Sequence, residues 1–379
     1  MSERVTMHEA PVLHHAEGRK ATWFELFFDL VFVTAVASLA ARLAANYHLA
    51  GALQFTFLLL VVWWLWLGHT FHASRFDRDQ PDQWAIGFLQ MLAVVFIGYG
   101  AGDPFGARSL AFAGGVAAFK FLLMICYLRE RSRPGLSRLC LVYAGIYGAQ
   151  ALLWAASIAL PEHIRLAAWG TALAIDVVTP FLVARETYRA PPHPEHLPER
   201  FGLFTIILLG ETVAAAGHAL SHGTDLHLET VIIATLGATI GFLFWVGYFQ
   251  RAKGHAERHV GDAVAGRDLR LWAYGHIPLY IGIASLGAGT VFLGHHSALH
   301  GAAPWIFSVG AALAMCGVTL ASLASVGRSW LSAWPYFAIA VLTALCPIVV
   351  HTSVWLAAAV ALLALGQLLI SQRLSRSVG

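Results

Sequence analysis

Two carboxylates lie one helical turn apart in an otherwise apolar stretch, "ATWFELFFDLVFVTAVASLAARLA", at residues 21–44. An ionised side chain at the centre of a membrane helix costs about 2.5–3.5 kcal/mol on the insertion scale. Asp29 follows Lys20, the last basic residue before this stretch, by nine residues. At about 1.5 Å per residue it lies roughly 13 Å deep, close to the midplane. Glu25 lies nearer the start of the helix. A carboxylate at the depth of Asp29 can bind and release a proton or another cation.

Three further ionisable residues are predicted to lie at a similar depth: Lys120, Asp176 and Glu211. A structural salt bridge between Lys120 and one acid would neutralise two charges and leave two acids over. These acids are then either protonated in apolar surroundings or face a polar cavity. An excess of negative charge is what a proton or cation site needs. Glu25 has a second interpretation, as a carboxylate that the helix dipole favours at a helix start.

The stretch that contains Glu211 carries two histidines on the same helix face. Positions 211, 215, 218 and 222 follow helical spacing, so Glu211, His218 and His222 would run from the midplane to the outer surface. Such a row is typical of a proton path, because imidazole and carboxylate groups titrate in a usable range. The alternative is that both are ordinary interfacial histidines in a chain that has nineteen.

A proline interrupts the predicted helix beside one of the buried acids. Pro180 follows Asp176 by four residues and removes the N–H that the Asp176 carbonyl would accept in a regular helix. In a bilayer, protein or water must satisfy that oxygen instead. A broken helix beside a buried acid predicts an ion or substrate site, and a simple packing kink is the alternative.

The elements that must position these groups are membrane helices. The chain has 379 residues, of which 58% are hydrophobic and 12% charged, with a mean hydropathy of +0.66. A soluble domain usually carries about a quarter charged residues. Apolar runs of roughly 20 residues match the length that a helix needs to cross about 30 Å of hydrocarbon. The sequence therefore predicts an all-α integral membrane protein with about twelve transmembrane helices, at residues 22–46, 51–71, 83–102, 109–128, 139–160, 166–184, 201–220, 229–249, 271–293, 304–325, 331–350 and 353–371.

The basic residues predict how these helices are oriented. The N-terminus, the even-numbered loops and the C-terminus together hold twenty Lys and Arg residues, whereas the odd-numbered loops hold two, Arg108 and Arg165. Short cytoplasmic loops are enriched in Lys and Arg, so both termini should be cytoplasmic in a multi-pass protein of the bacterial inner (plasma) membrane. This topology accounts for the net charge of +3, which therefore does not indicate a nucleic-acid partner. No cleavable signal peptide is recognisable in the first twenty residues.

The chain divides into two similar halves. "FELFFDLVFVTAVASL" from Phe24 and "FGLFTIILLGETVAAA" from Phe201 share the pattern Phe-x-Leu-Phe. Each half holds six predicted helices, and an even number makes the repeats parallel. The predicted organisation is a cytoplasmic segment at 1–21, a first six-helix half at 22–184, a cytoplasmic linker at 185–200, a second six-helix half at 201–371 and a cytoplasmic tail at 372–379.

Motifs for other chemistries are missing. The four cysteines lack CxxC spacing, the histidine clusters lack HExxH spacing, and neither a Walker loop nor a GxSxG elbow is present. His72 and Asp77 have the H-x4-D spacing of some acyltransferases, a short pattern that is common by chance. We therefore predict no cofactor, no metal site and no enzymatic activity.

Four motifs in order resemble one family. "WFELFFDLVFVTAVASL", "SRFDRDQ", "ERFGLFTIILLGETV" and "YGHIPLYIGI" look like the bacterial low temperature requirement A (LtrA) family, over nearly the whole chain. The resemblance implies a polytopic inner-membrane protein and brings no specific activity. "FFDLVF" is also distantly similar to the signature of TMEM175-type potassium channels, but Phe28 and Leu30 replace its small residues. The polar positions that the LtrA resemblance marks are Glu25, Asp29, Arg75, Asp77, Asp79, Arg200, Glu211 and His276.

These observations predict secondary transport coupled to protons or another cation, with Asp29 and Glu211 binding the coupling ion. The alternatives are a cation channel, a membrane-embedded enzyme and a non-transporting scaffold or sensor. Expected partners are the lipid bilayer, protons or small cations and an unidentified small-molecule substrate, with a homo-oligomer left open. The predicted ion or substrate pathway comprises Glu25, Asp29, Lys120, Asp176, Glu211, His218, His222 and His276. The predicted cytoplasmic gate network comprises Arg75, Asp77, Asp79 and Arg200.

Overall fold

The computed structural model describes residues 18–76, 80–221, 227–251, 263–296, 299, 301–326 and 332–376. Every regular element within these ranges is helical. The elements are α1 Trp23–Ala44, α2 Leu49–Phe76, α3 Pro81–Gly100, α4 Ser109–Glu130, α5 Ser137–Ser157, α6 Glu162–Leu182, α7 Ala184–Arg189, α8 His196–Ser221, α9 Leu228–Arg251, α10 Ala263–His295, α11 Ala303–Val326, α12 Trp334–Leu345, a 3₁₀ turn Cys346–Ile348 and α13 Ser353–Arg376.

Eleven helices in this part of the chain are long and apolar enough to cross a membrane, namely all except α7 and α12. The apolar run predicted at 331–350 forms a shorter helix, Trp334–Ile348, which at about 1.5 Å per residue spans roughly 22 Å. Pro347 cannot donate a helical hydrogen bond, and the α-helix gives way to the 3₁₀ turn there. The chain is thus a multi-pass helical membrane protein, while twelve crossings and two parallel repeats remain predictions.

The start of α1 is fixed by its own side chains. The backbone N–H of Glu25 donates to Thr22 Oγ1 at 3.2 Å, and the backbone N–H of Thr22 donates to Glu25 Oε2 at 2.9 Å. This reciprocal pair is a capping box, which satisfies N–H groups that a helix start leaves without partners. Asp29 follows one turn later and is completely buried.

The core of the second half is the pair α10 and α11, which are the most buried of the spans. Glycines allow this close approach. A side chain added at Gly317 would meet the backbone of α10 at Leu279, and one added at Gly282 would meet α11 at Ala314. Small residues at membrane helix interfaces allow backbones to come this close, and van der Waals contact then stabilises the pair.

Large apolar side chains cover the outside of the bundle. Trp23, Phe27, Phe96, Phe181 and Trp355 each expose 57% or more of their surface. A soluble protein of this size would not present so much apolar area to water, so these faces contact lipid. The bilayer is thus the environment of the helices.

The two halves are joined where α8 and α10 pack against α1 and α2. The predicted linker at 185–200 is partly helical, because it contains α7 and the first turn of α8. Between them the backbone N–H of His193 donates to the carbonyl oxygen of Ser74 at 3.1 Å and to Ser74 Oγ at 3.0 Å. The linker therefore lies against the C-terminal end of α2.

Candidate functional site: an ion cluster and an aromatic cavity between the halves

A buried ion pair connects the two halves of the chain. Arg200 of α8 donates from Nε to Asp29 Oδ2 at 3.0 Å and from Nη2 to Asp29 Oδ1 at 2.6 Å. Trp66 Nε1 of α2 donates to the same Oδ1 at 2.7 Å. Neither Arg200 nor Asp29 is exposed at all. A bidentate pair of this kind is among the strongest side-chain contacts in proteins, so three hydrogen bonds hold the Asp29 carboxylate.

Glu25 joins the same group of charges. Its Oε1 lies 3.0 Å from Arg200 Nη1 and 3.8 Å from Arg19 Nη2, and His196 Nε2 donates to its Oε2 at 3.0 Å. Glu25, Asp29, His196 and Arg200 are called the ion cluster below. The capping box and the ion cluster together give Glu25 both the helix-start role and a partner in the opposite half.

Lys120 and Asp176 form a second buried pair, within the first half. Lys120 Nζ of α4 lies 2.6 Å from Asp176 Oδ1 and 2.8 Å from Oδ2 of α6, and Gln150 Nε2 of α5 donates to Oδ1 at 3.0 Å. Lys120 Nζ also lies 5.2 Å from the ring centre of Tyr147. This is the salt bridge between Lys120 and one acid that the charge count allowed. The charge of Asp176 is therefore compensated.

α6 continues through Pro180 and ends at Leu182, so the break predicted at this proline is not seen; a contact near it joins the halves. Tyr274 of α10 donates its hydroxyl to the carbonyl oxygen of Val177 at 2.7 Å, in the turn where Pro180 disturbs the helical ladder of α6. Thr179 Oγ1 donates to the carbonyl oxygen of Ile175 at 2.6 Å. A protein hydroxyl thus supplies a partner that a bilayer does not.

A cavity of about 70 Å³ lies beside Pro180. It is bounded by α2, α4, α5, α6 and α7 on the side of the first half and by α10 on the side of the second. Aromatic rings form much of its wall, and Arg75, Asp176 and Arg270 supply its charged groups. We call it the aromatic cavity; its lining residues are Trp64, Leu67, Gly68, Phe71, Arg75, Tyr127, Tyr143, Tyr147, Asp176, Thr179, Pro180, Thr187, Gly266, Leu269, Arg270, Ala273 and Tyr274.

Arg75 is held in the cavity wall by neutral groups. Its Nε donates to the carbonyl oxygen of Ala190 at 3.0 Å, and its Nη1 donates to the Tyr127 hydroxyl at 3.1 Å. Its Nη2 lies 3.5 Å from Thr187 Oγ1. The guanidinium also lies 5.3 Å from the ring centre of Tyr143. No carboxylate among the described residues lies within ion-pair distance of this buried cation.

Two of the four residues predicted to form a gate network, Arg75 and Arg200, lie in different sites. Arg75 lies at the aromatic cavity, whereas Arg200 belongs to the ion cluster and pairs with Asp29 and Glu25. Asp77 and Asp79 lie outside the described residues. Arg200 is also part of a helix, α8, and not of a loop.

Three described residues predicted for the ion pathway, Glu211, His218 and His276, lie elsewhere. Glu211 is half-buried and His218 is exposed on α8, and neither contacts the two sites above; His222 lies outside the described residues. His276 of α10 is fully buried, with Nδ1 2.7 Å from the carbonyl oxygen of Trp272 and Nε2 3.0 Å from the Tyr248 hydroxyl. These contacts fix the orientation of its ring within the second half.

Sequence reasoning missed the tyrosines and the amide of this region. Tyr143, Tyr147 and Gln150 follow the spacing i, i+4, i+7 of one helix face, so a polar face on α5 was readable. Trp66 and His196 carried no comparable signal, because only tertiary contacts bring them to Asp29 and Glu25. Among the described residues no three His, Cys, Asp or Glu side chains converge as a metal site would require.

Comparison with known proteins gives a family match over most of the chain. Residues 20–369 match the family described as Bacterial low temperature requirement A protein (LtrA). The chain is also 26% identical, over 290 residues, to the uncharacterized protein RA0937 of Rhizobium meliloti (strain 1021); the match covers 73% of this chain and 70% of that protein. No solved structure matches the chain.

Proposed function

This chain belongs to the bacterial low temperature requirement A (LtrA) family, as its motifs predicted, and we propose that it is a secondary transporter coupled to protons or another cation. The observation that carries the proposal is the position of the aromatic cavity, between helices of the first half and α10 of the second. Transporters built from two halves bind substrate at the interface of those halves, commonly beside interrupted helices. Asp176 and Pro180 of α6 lie in this wall, and α6 continues through the proline to Leu182.

In the proposed cycle the halves rock about the aromatic cavity. The contacts that must change are those between the halves: Tyr274 with the Val177 carbonyl, and Arg200 with Asp29 and Glu25. Protonation of Asp29 or Glu25 can weaken its contact with Arg200, because a protonated carboxyl is neutral and no longer attracts a guanidinium. Asp29 and Asp176 are the carboxylates that would bind the coupling ion. When the ion leaves, Arg200 pairs with Asp29 and Lys120 pairs with Asp176.

The test is flux in proteoliposomes. Purified protein is reconstituted with a pH-sensitive dye inside the vesicles, and small organic anions, cations and neutral solutes are added outside under an imposed pH gradient. We expect one solute class to move protons in the wild type, and Asp29→Asn and Asp176→Asn to abolish that flux. Asp82→Asn makes the same chemical change at a half-exposed acid paired with Arg129 and should retain it.

A dependence on the acids separates transport from leakage. Flux that persists in both Asp29→Asn and Asp176→Asn at the wild-type rate would contradict the proposal. A current that flows without any gradient of substrate or protons would instead identify a channel.

The completeness of the ion pairs favours a second candidate, a membrane scaffold that transports nothing. Asp29 and Asp176 both have their charges compensated in the folded chain, which is what a purely structural role requires. In this case well-folded protein would move no tested solute above the level of empty vesicles. The variant that carries both Asp29→Asn and Arg200→Gln would then differ from the wild type in stability alone.

A further inference from the structure

We infer that the aromatic cavity binds a small organic anion, whose charged group is held by Arg75 and whose apolar body lies against the tyrosine rings. The inference rests on the proposed function only in taking this cavity as the substrate site. The buried acids in the sequence favour a cation as ligand, whereas the cavity favours a substrate of negative charge.

The charges at the cavity favour an anion over a cation. Asp176 is the one carboxylate among the described residues of the wall, and its two oxygens already accept from Lys120 and Gln150. A cation in the cavity would have to displace Lys120 to reach it. Arg75 is a cation that is only 2% exposed, and its described neighbours are neutral. An arriving anion is the ligand that compensates this charge.

Arg75 has N–H donors that a carboxylate can use. A guanidinium has five N–H donors. The Ala190 carbonyl and the hydroxyls of Tyr127, Thr187 and Tyr143 accept from four of them. All four partners are neutral, so a carboxylate that takes the fifth N–H, or replaces a hydroxyl, makes a stronger, charge-assisted hydrogen bond.

The cavity is small and its walls are largely aromatic. Its volume of about 70 Å³ has room for roughly five water molecules, at about 10–15 Å³ for each. Tyr127 and Tyr143 stack with ring centres 4.7 Å apart, and Tyr147 lies 5.7 Å from Tyr127. Such walls suit a flat apolar body better than a hydrated ion, because the rings offer large faces and few polar atoms. A small carboxylate group fits the enclosed volume, and a planar ring attached to it would extend through the open side of the cavity, because a cavity that encloses benzene measures about 150 Å³.

The experiment compares three probes with the same ring and different charges. Benzoate, benzyl alcohol and benzylammonium are titrated into the full-length wild-type protein in lipid nanodiscs at neutral pH, with calorimetry as the readout. We expect benzoate to bind at least tenfold more tightly than benzyl alcohol, and benzylammonium to bind more weakly than either. This series uses only wild-type protein, so it shows which ligand charge the cavity prefers even if a substitution disturbs folding.

Variants then assign the charge to Arg75. Arg75→Gln should weaken benzoate binding at least tenfold, and Arg75→Lys should lose less. Arg108→Gln is the matched control, because it removes a guanidinium that lies 4.6 Å from the ring of Tyr99, outside the cavity, and it should bind benzoate as the wild type does. Ala273→Leu fills the cavity without changing any charge and should weaken benzoate and benzyl alcohol alike.

Three results would overturn the inference. These are wild-type protein that does not bind benzoate, benzylammonium that binds as tightly as benzoate, and folded Arg75→Gln that binds benzoate within twofold of the wild type. The outcome is distinct from that of the transport test. Benzoate binding without any flux would support the inference and contradict the transporter proposal. Cation flux that requires Asp176, without benzoate binding, would support the transporter proposal and contradict the inference.

Discussion

Removing Arg200 should expose how strongly the ion cluster holds the two halves together. Arg200→Gln deletes two contacts to Asp29 and one to Glu25, all in a region where Arg200 and Asp29 have no exposed surface. It leaves two buried carboxylates side by side, with His196 and the more distant Arg19 as remaining partners of Glu25. Removing one partner of a buried ion pair typically costs about 3–5 kcal/mol. We expect the free energy of unfolding to fall by that amount.

A double-mutant cycle makes this magnitude specific to the pair. Asp29→Asn alone leaves the guanidinium paired with Glu25 and should cost less than Arg200→Gln. The variant with both substitutions leaves neither charge at this point, so its loss should be smaller than the sum of the single losses by at least about 2 kcal/mol. Unfolding is followed through the fluorescence of the thirteen tryptophans while sodium dodecyl sulfate is added to protein in mixed micelles.

An exposed ion pair provides the control. Arg267 and Asp268 are 72% and 39% exposed and lie 3.3 Å apart, and exposed pairs typically contribute at most about 1 kcal/mol. Asp268→Asn should therefore leave the unfolding free energy nearly unchanged. If the losses of Arg200→Gln and Asp29→Asn simply add in the double variant, the two residues are not coupled, and the reasoning about the ion cluster is refuted.

Three further substitutions test individual contacts by the same unfolding measurement. Trp66→Phe keeps an aromatic ring but removes the hydrogen bond to Asp29, and it should cost about 1–2 kcal/mol, as expected for a bond to a charged group; an unchanged stability would contradict this bond. Tyr274→Phe should cost about 1 kcal/mol because the Val177 carbonyl loses the hydroxyl that donates to it, and a stabilised variant would show that the bond is not made. Gly317→Ala forces α10 and α11 apart and should cost roughly 1–3 kcal/mol, whereas a gain in stability would mean that the helices are less tightly packed than described.

The charges of the first half could be predicted because they obey a local rule. A lysine in an apolar run needs a partner, and Lys120 takes Asp176, as counting buried charges suggested. Membrane helices themselves were readable for the same kind of reason, since 58% hydrophobic composition in runs of helical length leaves no soluble alternative. The choice of Asp176, and not Asp29 or Glu211, depended on which helices pack together, and one sequence does not contain that information.

The partner of Asp29 was missed because of where the apolar run begins. The hydrophobic residues start at Phe201, so Arg200 was placed in a loop beside Arg75, while α8 begins five residues before Phe201, at His196, and carries Arg200 into the interior. Apolar runs indicate the lipid-facing length of a helix and not its full extent. A basic residue at the edge of a run therefore has two possible fates, a cytoplasmic loop or a buried ion pair, and the unpaired Asp29 in the sequence was the signal that favoured the second.

The cost of separating Arg200 from Asp29 constrains any cycle in which the two halves rock. With about 3–5 kcal/mol opposing separation, fewer than about one molecule in a hundred would separate unaided, since each 1.4 kcal/mol is a factor of about ten. A ligand shifts such an equilibrium only by binding the two states with different affinities. A proton on Asp29 removes one of the two carboxylate attractions that hold Arg200, the other being that of Glu25, and thus favours the separated state without touching the substrate. In the proposed transporter a coupling proton on Asp29 and the organic anion therefore occupy different places, the ion cluster and the aromatic cavity, and only the movement of the halves links them.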